Sequence, residues 1–255
     1  MDFERLPGLR DYSGALASHT GHGLGEILKV VTQLSAVGIP SCVVGVRALR
    51  YYGAGRATDE WDLCVPDDKL DEAQHLLLSS AQYETVTPPP SVPGSLRHTF
   101  PCMRLEGYNF WIILVPSSDC FVDPSSADHV EKSHNGVPYA SLAQFARSVL
   151  VQQQLADIGD LIDGMDLDME WGKRNIGFEK LQEESVKFAE LRTQRLTSCG
   201  YSGGLSPQDM ARMWQESASK EAKERRIEPL KQGRYFTRWR SINRPEDPRT
   251  RDRPV

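Results

Sequence analysis

The residues best equipped for chemistry lie in one run, CVVGVRALRYYGAGRATDEWDLCVPDD, residues 42–68. Within it, Glu60-Trp61-Asp62-Leu63-Cys64-Val65 alternates with period two until Pro66 ends it. On an extended strand Glu60 and Asp62 point the same way, about 6.5–7 Å apart along the backbone. Two carboxylates so placed are hard oxygen donors of the kind Mg²⁺ takes. Gly45 precedes them in the same run. It has no Cβ, so a ligand or another backbone can come close. Arg56 carries paired N–H donors that match a phosphate chain. Each feature has a plainer reading. The acids fit the polar face of an edge strand, Gly45 a tight turn, and Arg56 a loop anchor to Asp59 or Asp62.

The elements that must position these groups follow from patterning. Val43 and Val44 suit a buried strand, Gly45 a turn, and Arg47–Tyr52 a short helix stopped by Gly53, Ala54 and Gly55. Trp61, Leu63 and Val65 should face a core. Ahead of them, residues 25–37 place apolar side chains at helical spacing. Asp67 suits the cap of a helix over 68–80, with Leu70, Ala73, Leu76 and Leu77 facing inward. A strand over Tyr83–Val86 and a proline-rich loop, residues 87–94, come next. HTFPCMRL and YNFWIILV, separated by Glu106-Gly107, predict a hairpin. Pro101 predicts an edge or bulge in its first strand. Residues 120–137 read as polar loop. Ser141 should cap an amphipathic helix, and another follows over 156–165. Residues 168–197 form a charged periodic segment interrupted at Gly172 and Gly177, and Ser206-Pro207 opens a helix to about Arg226. The fold class is α+β: a small mixed β-sheet with helices, followed by a helical C-terminal region. The domain reading is a flexible arm over 1–24, an α/β core over 25–137, a helical region over 138–230 and a basic disordered tail over 231–255.

Composition narrows the function classes. At 39% hydrophobic and 25% charged, the chain is an ordinary globular sequence, and no apolar run approaches a membrane span. It opens without a signal-peptide pattern. Five cysteines, an odd number with no CxxC, argue for reduced thiols and a cytoplasmic setting. Six histidines show no metal-ligand spacing, and Ser117, Ser118 and Cys120 lack a Gly-x-Ser-x-Gly setting. Residues 220–255 hold 12 Lys+Arg against 6 Asp+Glu, although the whole chain is −5. Arg234, Arg238, Arg240 and Arg244, interleaved with Tyr235, Phe236 and Trp239, suit a polyanion contact or a tail docked on the acidic body.

Gly45, Ala48, Leu49, Tyr52, Gly53, Arg56, Thr58, Glu60, Asp62 and Leu63 follow a known spacing without a gap. The run resembles nucleotidyltransferases of the DNA polymerase beta type, in their minimal and AbiEii-like forms. There a G-x-x-A-L-x-x-(H/Y)-G-x-x-R-x-T-x-D-x-D-L run joins a strand, a small-residue turn, a helix and an Asp-x-Asp strand. VPYASLAQFARSVL and DIGDLIDGM are similar to the segment after that core, so the resemblance covers roughly residues 25–165. The YYGAGR, WDLCVP and VPSSD blocks also look like a group of fungal proteins of unassigned activity. The resemblance implies a nucleoside triphosphate and Mg²⁺ as ligands and nucleotidyl transfer to an unidentified acceptor. It implies Glu60 and Asp62 as metal and catalytic acids, and Gly45, Val46, Arg56 and Thr58 as nucleotide-binding. Three departures stand out. Val46 replaces the second small residue of the turn, and Glu60 replaces the first Asp, adding a methylene. No acid lies on the strand 108–115, where the third carboxylate belongs; Asp119 and Asp123, just after it, are the candidates to replace it, Asp119 as the third catalytic acid or, on the plainer reading, a turn or cap made by Ser-Ser-Asp. These departures imply an alternative, a catalytically degenerate accessory or binding protein on the same fold.

Overall fold

A computed structural model of the chain describes residues 14–56, 58–88, 94–231 and 246–250. The elements in chain order are α1 Ser18–Gly21, α2 Leu24–Ala36, β1 Cys42–Val44, α3 Gly45–Tyr51, β2 Glu60–Val65, α4 Leu70–Ser79 and β3 Tyr83–Thr85. Next come β4 Cys102–Leu105, β5 Trp111–Pro116, α5 Ser117–Cys120, β6 Val130–Lys132 and β7 Pro138–Ala140. The helical half is α6 Leu142–Val151, α7 Leu155–Met165, α8 Met169–Asn175, α9 Phe178–Ser198, α10 Met210–Ala218 and α11 Lys220–Lys231.

The seven strands of the described residues form one sheet in the order β3-β4-β5-β2-β1-β7-β6. β2 runs parallel to β5 and antiparallel to β1, β1 runs parallel to β7, and the other pairs are antiparallel. This is the mixed sheet and α+β class that the patterning predicts. β2 lies at its centre, so Trp61, Leu63, Cys64 and Val65 are all buried. Helix α2 buries Ile27, Val30 and Leu34, one stripe at helical spacing, with Glu26 and Lys29 off it. Each such aliphatic side chain removed from water contributes about 1.5–3 kcal/mol.

Several boundaries differ from expectation, each for a local reason. Pro101 lies just before β4, so its missing N–H costs the ladder nothing, and β4 is an interior strand. The polar stretch 120–137 contains β6, whose residues are half-buried or exposed and carry no apolar alternation. The β6–β7 hairpin spans the predicted 137/138 boundary and places β7 beside β1. The Ser141 side chain does not cap α6; its hydroxyl donates to the Asp128 carbonyl at 2.8 Å, while its own carbonyl accepts the Phe145 N–H at 2.7 Å. Helix α10 starts at Met210, capped by the Asp209 carboxylate, rather than at Ser206-Pro207. Leu70 and Leu76 are only half-buried on α4, whereas Ala73 and Leu77 are buried. Gly172 sits inside α8, where a Cβ would stand 2.2 Å from Trp214 Nε1. It marks a helix-to-helix approach there, not an interruption.

Ion pairs tie the helical half to itself and to the loop before β2. Arg226 of α11 clasps Asp163 of α7 through two bonds of 2.7 Å. At the far end of the described chain, Pro248 is buried near Gly53, and Arg249 reaches Glu131 at 3.4 Å. The tail's Arg234, Arg238, Arg240 and Arg244 lie outside the described residues, as do residues 1–13 of the predicted arm. Among the described residues, no helix is long and apolar enough to cross a membrane.

Candidate functional site

Antiparallel pairing sets Val44 opposite Asp62, and the chain turns at once into Gly45. Gly45 has φ +63°, a conformation that side chains with a Cβ resist. A Cβ there would stand 2.3 Å from Asp62 Oδ2. Glycine is therefore what lets this turn lie against the Asp62 carboxylate. Asp62 is 5% exposed. Glu60, at the solvent end of the strand, is half-buried. The two acids share one face beside the turn, as the alternation of β2 predicts.

What joins them is a residue the sequence reading passed over. Arg97 stands on the 3-10 turn Arg97–Thr99, after the proline-rich loop and before β4. Its Nη1 donates to Asp62 Oδ2 at 2.7 Å. Its Nη2 lies 2.6 Å from Asp62 Oδ1 and also bonds Glu60 Oε2. A single nitrogen thus meets both carboxylates. Burial would lower the Arg97 pKa, but Asp62 and Glu60 outweigh it and hold it above the ordinary arginine value. No local signal marks Arg97, because 35 residues separate it from Asp62.

Asp119 approaches from the other side. It lies on α5, directly after β5, and β5 is the parallel neighbour of β2. Its carboxylate is buried and accepts a bond from Arg192 Nη1 of α9 at 2.6 Å. Arg195 lies 3.9 Å away. Burial pushes the Asp119 pKa up, and the two arginines pull against that. On β5 itself, Trp111 and Ile113 stand opposite Glu60 and Asp62, so that strand supplies no carboxylate there.

A cavity of about 170 Å³ connects these groups. Gly45, Val46, Asp62, Arg97, Asp119 and Arg192 are among its lining residues. Glu60 does not line it but joins it through Arg97. Thr58 Oγ1 accepts the Glu60 N–H at 3.1 Å and so fixes the start of β2. Arg56 turns toward α7, where its Nη1 meets Asp157 at 2.7 Å and its Nε meets Asp160 at 2.5 Å. It makes neither of the anchors to Asp59 or Asp62 considered from sequence, although Asp157 lines the cavity. Asp123 lines a separate, larger cavity of about 710 Å³, which includes Ser117, Ser118, Phe121 and Phe188. Neither Glu60 nor Asp62 lines that space.

The donor set decides what ion the site would suit. Among the described residues, no three His, Cys, Asp or Glu side chains converge as a metal-ligating group. Glu60 and Asp62 do converge, because one Arg97 nitrogen touches both. Two such carboxylates are hard oxygen donors that could hold one divalent cation only with further ligands from outside the chain. They do not form a two-metal centre held by three protein acids.

No family model and no curated protein matches the sequence. Several solved structures are similar to the chain. One is an antigenic nucleotidyltransferase-like protein from Paracoccidioides brasiliensis, at 16% identity and TM-score 0.41, covering 72% of this chain and 93% of that one. The antibiotic-resistance factor ANT(2'')-Ia aligns at 12% identity and TM-score 0.38, covering 69% of this chain and 96% of that one. JHP933 from Helicobacter pylori aligns at 12% identity and TM-score 0.38, covering 87% of this chain and all of that one, 100%.

Proposed function

We propose that this chain is a nucleotidyltransferase-like protein that binds a nucleoside triphosphate together with Mg²⁺ in the Gly45 cleft. The reaction proposed is transfer of the nucleotidyl group to a hydroxyl of an acceptor not yet identified. One observation carries the reading: Glu60 and Asp62 converge on a single cation position beside a glycine that permits close approach. Glu60 and Asp62 would hold the ion. The ion supplies charge neutralisation of the phosphate chain when bound.

The remaining work falls to the chain's own groups. Gly45 and Val46 form the wall against which phosphates lie. Thr58 and Arg56 act as positioning residues, Thr58 through the Glu60 amide and Arg56 through Asp157 and Asp160 on α7. In the transfer, the acceptor oxygen bonds to the α-phosphorus as the bond to pyrophosphate breaks. Asp119 takes the acceptor's proton, a role its burial-raised pKa suits. Catalysis would rest on positioning and charge rather than covalent help.

Calorimetric titration with Mg²⁺ and each of the four nucleoside triphosphates tests the reading. Binding with at least one triphosphate, lost in Asp62→Ala with folding intact, is the expected result. Absence of heat with all four removes it.

A second reading is favoured by Trp111 and Ile113 opposite the acids and by the hold of Arg192 on Asp119. On it, the fold persists as a catalytically degenerate accessory or binding module. It predicts partner binding that survives the double change Glu60→Ala with Asp62→Ala.

A further inference from the structure

The position between Glu60 and Asp62 is already held by a cation, and that cation belongs to the chain. Arg97 gives two nitrogens to the acids, and Nη2 alone bridges both. Its Nε donates to none of the described residues. The side chain is about one-third exposed, at 32%, so it can leave the acids without disturbing the core. Its backbone lies on a one-turn segment, where Ser95 Oγ accepts the Arg97 N–H at 3.2 Å. The cavity beside it, about 170 Å³, is smaller than the roughly 300–1,000 Å³ that ligand pockets usually offer. Arg97 is one of the groups that narrow it.

Charge gives the direction of exchange. Against two carboxylates Arg97 supplies a single positive charge, with Arg47 a second guanidinium acting on Asp62, whereas a divalent ion brings both charges to one point between the acids. A guanidinium driven off the acids meets, in the same cleft, the phosphate oxygens that its planar fork fits. It loses one set of charged partners and gains another, so it is never buried unpaired.

We propose that Arg97 is an exchanging cation: it holds Glu60 and Asp62 while the cleft is empty, and it moves to the phosphate chain when a divalent ion takes the acids. This rests on the nucleotide reading above and adds a ligand-binding residue and a linkage between ion and triphosphate. Divalent ion alone should bind weakly, because the guanidinium it displaces must exchange two charged partners for water. Triphosphate should strengthen that binding by receiving it.

The test uses the full chain, with Mn²⁺ as the ion probe and the four nucleoside triphosphates as the anion probes. Mn²⁺ affinity is read by electron paramagnetic resonance with and without each triphosphate, and triphosphate affinity by calorimetry. Arg97→Ala is expected to bind Mn²⁺ alone about tenfold tighter than wild type, and to lose about tenfold of the strengthening that triphosphate gives. Unchanged Mn²⁺ affinity in a folded Arg97→Ala protein overturns the exchange. Arg97→Lys keeps the charge and serves if the alanine variant does not fold. It should hold the acids but bind triphosphate about tenfold more weakly for want of the fork, and an unaltered triphosphate affinity there also overturns the proposal. Triphosphate binding in wild type with no change in either variant sinks the exchange and leaves the nucleotide reading standing. No triphosphate binding in folded wild type sinks both.

Discussion

At Gly45 two constraints coincide: a positive φ of +63° and an Asp62 oxygen 2.3 Å from where a Cβ would be. Gly45→Ala should therefore destabilise the chain by about 2–4 kcal/mol, more than backbone strain alone costs. Urea denaturation measures this, and a loss below 1 kcal/mol, about the strain cost of the turn by itself, would mean the carboxylate moves aside freely. Arg56 belongs to a different kind of contact. Its removal takes one guanidinium from both Asp160, 4% exposed, and Asp157. Because Arg56 is itself 27% exposed, Arg56→Ala should cost about 2 kcal/mol, below the range for fully buried pairs. Asp119 carries a pH signature. Its folded pKa lies above the ordinary 3.8, first because it is buried. The native state then holds its proton longer than the unfolded state does. Its contribution is fully present below pH 3.8 and falls as pH rises through the folded value. Asp119→Asn should flatten that fall in a series of denaturation midpoints taken upward from about pH 4. An unaltered slope would show that Asp119 does not titrate abnormally.

Among the elements, α9 and α11 do the least visible work. Helix α9 reads from sequence as part of a charged, periodic segment with no partner assigned, yet it brings Arg192 onto Asp119 and so closes one side of the cleft. Helix α11 is strongly charged, and the Arg226–Asp163 pair fixes it to α7. Both side chains of that pair are largely buried, at 14% and 6% exposure. Arg226→Ala should cost about 3 kcal/mol, since it strands a buried carboxylate. Hydrogen exchange should show faster opening across α11 and the end of α7, with β2 unaffected. Uniform acceleration throughout would argue that α11 is not a separate unit. The β6–β7 hairpin illustrates the limit of periodicity. Its strands are three residues each, and β6 lies at the sheet edge, too short and too polar for alternation to show.

For the molecule as a whole, charge is divided between an acidic body and a basic end, with 12 Lys+Arg in the last 36 residues of a chain of net charge −5. A chain cut after residue 231 should keep its triphosphate binding and lose any salt-sensitive retention on a polyanion column. Retention unchanged by the cut would place that contact elsewhere. Sequence alone determined the parts whose causes are local. The strand over Glu60–Val65, the glycine turn and the shared face of Glu60 and Asp62 follow from a two-residue period and a missing Cβ, which need no distant partner to be read. Tertiary structure decided which charges meet. Arg97 between the two acids, Arg192 on Asp119 and Arg56 on α7 join residues 35, 73 and 104 positions apart. No spacing rule encodes those pairings, because a long flexible side chain finds its partner only after the sheet and helices have set the distance between them.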